Sequence, residues 1–155
     1  QRRLRGYEAA LSHAGLVSSP ELRVSGHATF EGGFRAATHL MSLPEPPDAI
    51  FVHNNVMTQG AVLALQDLGL RWPDDLDIAG FGAFMQARLY QPPLTLISQP
   101  THAMGERAVD LLVDLLERPR PQEAETIVLP CRVVSRAEWR DAHQTLRAEG
   151  TLQPI

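Results

Sequence analysis

The chain has 155 residues, 44% of them hydrophobic, which is enough for one ordinary buried core and too apolar for a disordered segment. Its formal charge of −4, with Lys and Arg scattered along the sequence, argues against this stretch itself gripping a nucleic acid, because phosphate binding needs clustered cations. A single cysteine excludes an internal disulfide, and no apolar run reaches the length of a signal or membrane segment, so a reducing cytoplasm is the expected setting.

Helical spacing begins almost at once. Leu4, Tyr7, Leu11 and Ala14 share one stripe and Gly15 follows as a stop, which predicts a helix over residues 2–14 with its apolar face inward. The sequence opens on Gln1 and no strand feeds this helix, so the chain is expected to be part of something longer. Residues 22–25 read as a weak strand after Ser19-Pro20, and Gly26-His27-Ala28 leads to Thr29, a plausible N-cap. Phe30, Phe34, Ala37 and Met41 then recur at helical spacing until Pro44-Glu45-Pro46-Pro47 breaks the run.

Ala49–Val52 is apolar at consecutive positions, as suits a strand covered on both faces, and it ends abruptly in His53-Asn54-Asn55. There an asparagine can cap the next helix, over 56–68, which carries Met57, Ala61, Ala64, Leu65 and Leu68 inward and stops at Gly69. Residues 76–81 form a second strand, so 48–81 make a right-handed strand–helix–strand unit with parallel strands. Ligands of open parallel sheets bind beyond the carboxyl ends of the strands, and Asn54, Asn55 and Gly82 lie at two such ends. After an irregular stretch through Pro92-Pro93, residues 94–98 read as a strand. Pro100 and Thr101 then open a helix over 101–117 with Met104, Ala108, Leu111, Leu112 and Leu115 inward, closed by Pro119. Residues 126–134 form a last strand, bent or on an edge because Pro130 interrupts it, and the tail after Arg136 is polar. The expected fold class is α/β, a parallel sheet flanked by helices.

No catalytic or metal constellation is complete. Gly80-Phe81-Gly82 starts like a dinucleotide-binding glycine pattern, but Met85 stands where the third glycine belongs, so a tight turn is the better reading. His13, His27, His39, His53, His102 and His143 are never paired at metal-ligand spacing, and Cys131 is expected to be a buried, inert thiol. His53 has the chemistry of a general base but no nucleophile or orienting carboxylate at recognisable spacing, so it reads as pocket lining or a cap. Neither enzyme activity, cofactor nor metal is expected.

The order of short pieces resembles the effector-binding core of the lactose-repressor (LacI/GalR) family of bacterial transcription regulators. They run Arg3-Leu4-Arg5-Gly6-Tyr7, Gly33-Phe34, Asn54-Asn55 with Gly60, and Pro73-Asp74-Asp75-Leu76 with Ile78-Ala79-Gly80-Phe81. They continue with Pro92-Pro93-Leu94-Thr95, Gln99, Met104-Gly105, and Leu129-Pro130 with Val134 and Arg136. The resemblance implies a lobe of the type I periplasmic-binding-protein kind, incomplete at its N-terminus. Residues 1–98 would be the C-terminal lobe without its first strand, 99–130 a helix and return strand of the other lobe, and 131–155 a final strand and polar tail. It implies an effector held by Arg3, Asn54, Asn55, Gly82 and Gln99. It also implies a homodimer through Gln59, Leu63, Leu89 and Tyr90, and operator DNA bound only by a helix–turn–helix outside this sequence. Where the family tends to place carboxylates this chain has Asn55 and Gly82 while Arg3 keeps the cation, so the effector is expected to be a sugar or an acidic sugar derivative; Glu138, in place of a small hydroxyl, matters less. A periplasmic solute-binding protein of the same architecture is the alternative, and a small α/β enzyme using His53 a third.

Overall fold

A computed structural model describes residues 2–82, 87, 89–117 and 126–138; Met85, Pro119, His143 and the polar tail beyond 138 lie outside the described residues. The elements in order are α1 (Arg2–His13), a single 3₁₀ turn (Pro20–Leu22), α2 (Phe30–Met41), β1 (Ala49–Val52) and α3 (Asn55–Asp67). They are followed by β2 (Asp77–Phe81), β3 (Thr95–Ser98), α4 (Thr101–Glu117) and β4 (Arg132–Val134). One four-stranded sheet has the order β1-β2-β3-β4. β1, β2 and β3 are parallel, with Val52 opposite Gly80 and Gly80 opposite Leu96, and β4 returns antiparallel to β3. This is the expected parallel, helix-flanked sheet.

The core sits where α2 and α3 lie on the sheet: Ala37, Leu40, Ile50, Val52, Ala61, Val62, Leu65, Ile78 and Leu96 are all buried in one cluster. α2 and α3 approach so closely that a Cβ at Gly60 would strike the carbonyl oxygen of Phe30, and one at Gly33 would strike the backbone of Met57. Two glycines quoted as motif pieces are therefore packing devices, each removing a side chain where two helix backbones meet. Caps fix where both helices start. Thr29 Oγ1 accepts the Gly32 N–H at 3.0 Å, and Asn54 Oδ1 accepts the Met57 N–H at 2.8 Å. Gly69, at φ +72, ends α3 with the Leu70 N–H donating to the Leu65 carbonyl at 2.9 Å, a closure that needs a left-handed residue.

Four expectations fail, each for a physical reason. Residues 22–25 form no strand: they pair with no strand of the sheet, whose β1 edge stays open, and only the turn Pro20–Leu22 is regular. The last strand covers Arg132–Val134 instead of 126–134. Arg132 already pairs with Ser98, the end of β3, so earlier residues run past the ladder. Cys131 is consequently exposed. The apolar stripes of α1 and α4 are not buried: neither helix has a buried residue, and Leu4 and Leu112 are 45% and 59% exposed. Amphipathic spacing specifies an apolar face, and among the described residues nothing buries these two.

β4 is held at the opposite end of the sheet from the strand tips. The Arg136 guanidinium pairs with the Asp77 carboxylate at 2.5 Å, at the start of β2.

Candidate functional site

The carboxyl ends of β1 and β2 carry the candidate site. β1 delivers His53 to the edge, and Asn54 leaves the strand in extended conformation as the N-cap of α3. Its Oδ1 is committed to the Met57 N–H, while Asn55 Oδ1 accepts the Val56 N–H at 3.0 Å. Both amides turn their acceptor oxygen toward the helix, which leaves their NH₂ groups as donors. Gly82, at φ +98, turns the chain sharply after β2 and donates its N–H to the Ile97 carbonyl at 2.9 Å. A Cβ there would lie 3.3 Å from Asn55 Cβ, so Asn55 and Gly82 face each other across the mouth.

Arg3 joins them from α1, a helix that is otherwise superficial. Its Nη1 donates to the His53 carbonyl at 2.6 Å, and its guanidinium stacks 3.9 Å over the Phe81 ring. One N–H and one face are thereby used, and the other donors of the fork remain. Gln99 lies one residue beyond β3 at the same edge, half-buried, with its carbonyl accepting the Thr101 N–H at 2.9 Å. The structure thus gathers Arg3, Asn54, Asn55 and Gly82 and places Gln99 on the same rim. His53 contributes its carbonyl to Arg3, and its exposed ring lines the cavity described next.

A cavity of about 1050 Å³ follows the open edge of β1. Its walls are apolar, from Leu22, Val24, Ala37, Leu40, Ile50 and Ala61, and Arg2, Arg3, His27 and His53 reach it from the strand tips. His27 was not singled out by spacing. It and Ala28 both hold positive φ, 50° and 58°, which for two consecutive non-glycine residues is a strained arrangement that fixes the loop before α2. The only trace in the sequence is the Gly26 to Thr29 run before the helix. Among the described residues no group of three His, Cys, Asp or Glu side chains could hold a metal ion, and no helix is long and apolar enough to cross a membrane.

The residues expected at a dimer contact divide. Leu89 is 77% exposed and Leu63 39% exposed, on a loop and on α3. Gln59 is half-buried and donates to the Asn55 carbonyl at 3.4 Å. Tyr90 instead packs on the core, edge-on to Trp72 with ring centroids 6.2 Å apart, and burial pushes its hydroxyl above the ordinary tyrosine range.

Comparison with known proteins places this geometry. The periplasmic binding protein-like domain family matches residues 1–137. The HTH-type transcriptional repressor CytR of Escherichia coli (strain K12) is 36% identical over 138 residues, covering 89% of this chain and 40% of the repressor. A regulatory protein of the LacI family from Chloroflexus aggregans superposes with a TM-score of 0.77 at 33% identity, over 88% of this chain and 49% of that one. The transcriptional regulator CelR, solved as a cellobiose complex, superposes at 0.75 with 32% identity, over 86% and 40%. The chain spans about two fifths of the length of the curated relatives it matches. These relatives are transcriptional regulators and not enzymes, which favours the regulator over the catalytic reading of His53. The chain belongs to the periplasmic-binding-protein-like domain family, in the form carried by LacI-type transcriptional regulators.

Proposed function

We propose that this chain is the distal half of the effector-sensing core of a bacterial transcription regulator, acting in the cytoplasm, with a small sugar or sugar derivative as effector. The observation that carries the reading is the convergence of Arg3, Asn54, Asn55 and Gly82 at the ends of two adjacent parallel strands. The cellobiose held by the related CelR supports a sugar as the effector class. In this reading residues 1–98 are most of one lobe, and α4 with the segment to 130 serves the other lobe, which accounts for a helix with no buried residue. Residues 131–155 add the final strand and polar tail. Operator DNA is bound by a helix–turn–helix outside this chain, and effector occupancy alters that binding.

The core also forms a homodimer, with Leu63 and Leu89 as exposed apolar anchors, Gln59 beside them and Tyr90 supporting the loop from beneath. Thermal-shift screening of the intact regulator against a sugar panel tests the central reading. A true effector at 100 times its dissociation constant adds about 2.7 kcal/mol of stability. Asn54→Ala removes that shift; a panel in which no member stabilises the protein contradicts the reading.

A further inference from the structure

We propose that the effector is an anionic sugar derivative, carrying a carboxylate or a phosphate that Arg3 binds, with His27 and His53 lining the entrance. This rests on the effector-sensing reading and deepens it. The argument is one of unmatched donors. Asn54 and Asn55 each turn their oxygen to an α3 N–H, and Arg3 has no acceptor at all, so N–H donors dominate what these three side chains present. A neutral sugar brings a proton with every hydroxyl oxygen, and each such buried proton needs an acceptor. An acid group brings acceptors alone.

Charge points the same way. Among the described residues Arg2 and Arg3 line the cavity and no Asp or Glu does; Arg23, which also reaches it, is paired with Glu8 at 2.7 Å. Among the described residues the arginine ion pairs are those of Arg23, Arg71, Arg107, Arg132 and Arg136, and Arg3 is in none of them. Its guanidinium is oriented by the His53 carbonyl and the Phe81 ring, neither of which neutralises it. An oriented, unneutralised guanidinium beside two amide donors is suited to a charge-assisted contact with a carboxylate or phosphate.

Calorimetry on the intact regulator at neutral pH tests this with gluconate, glucose 6-phosphate and glucose, and with ribose 5-phosphate and ribose. At least one acid is expected to bind 10-fold or more tightly than its neutral parent, and which acid does so separates the carboxylate from the phosphate. Arg3→Gln abolishes the preference. Gly82→Asp is a poor probe of added negative charge, because φ +98 strains any side chain there. Asn55→Asp serves better: an acid in the first turn of α3 suits the helix, so folding is kept while acid affinity falls 10-fold or more. Neutral sugars binding as well as the acids, or Arg3→Gln and Asn55→Asp leaving acid binding unchanged, overturns the proposal alone. Binding of none of the five overturns the sugar-effector reading beneath it as well.

Discussion

α3 and α4 are both amphipathic, of 13 and 17 residues, yet seven residues of α3 are buried and none of α4. α3 is the crossover between two paired strands, so its apolar face is delivered to the sheet by the connection itself. α4 follows the last parallel strand and is tied to no second parallel strand in this sheet. The difference teaches that periodicity announces an interface, whereas topology decides which surface fills it.

The largest expected effect breaks the comparison if it is misjudged. Leu65→Ala, in a fully buried position of α3, is expected to cost about 3 kcal/mol in urea unfolding. Leu112→Ala on α4 is expected to cost under about 0.5 kcal/mol in this chain. Should the α4 substitution match the α3 one, the account of α4 as uncovered is wrong. Gly60→Ala sharpens the point, since one added methyl meets the Phe30 carbonyl; about 2 kcal/mol is expected from unfolding midpoints.

A smaller effect separates capping from binding at Asn54. Asn54→Ala is expected to cost about 1 kcal/mol by loss of the cap, while Asn54→Asp keeps the cap and the stability, as thermal unfolding of both variants will reveal. The smallest effect is expected far from the site. The Arg71 backbone N–H and guanidinium hold the exposed Asp75 carboxyl below its ordinary range. A carboxyl with a depressed folded pKa contributes stability above the unfolded value, near 4, and loses it as pH falls through the folded value. Asp75→Asn is therefore expected to flatten the acid limb of the stability profile slightly, measured by unfolding between pH 5 and pH 2.

The parallel sheet and the Asn54 cap were legible because both are written locally, in the run Ala49–Val52 and the polar triplet after it. Gly33 and Gly60 were visible only as motif letters, since their meaning depends on two helices meeting. His27 was missed because positive φ at a non-glycine residue leaves no mark in spacing. Tyr90 read as a surface anchor beside Leu89, but its ring needed Trp72, 18 positions earlier in the sequence, to be recognised as packing inward. The stripes of α1 and α4 specify apolar faces, but spacing alone does not say what covers them.

Backbone hydrogen exchange on the intact regulator, with and without saturating gluconate, tests the central claim that the effector sits on the carboxyl ends of β1 and β2. The account predicts that amides of residues 53–57 and Gly82 slow by 10-fold or more, while those at the opposite end, around Asp77 and Arg136, are unchanged. Protection confined to that opposite end, or absent from 53–57, would contradict it.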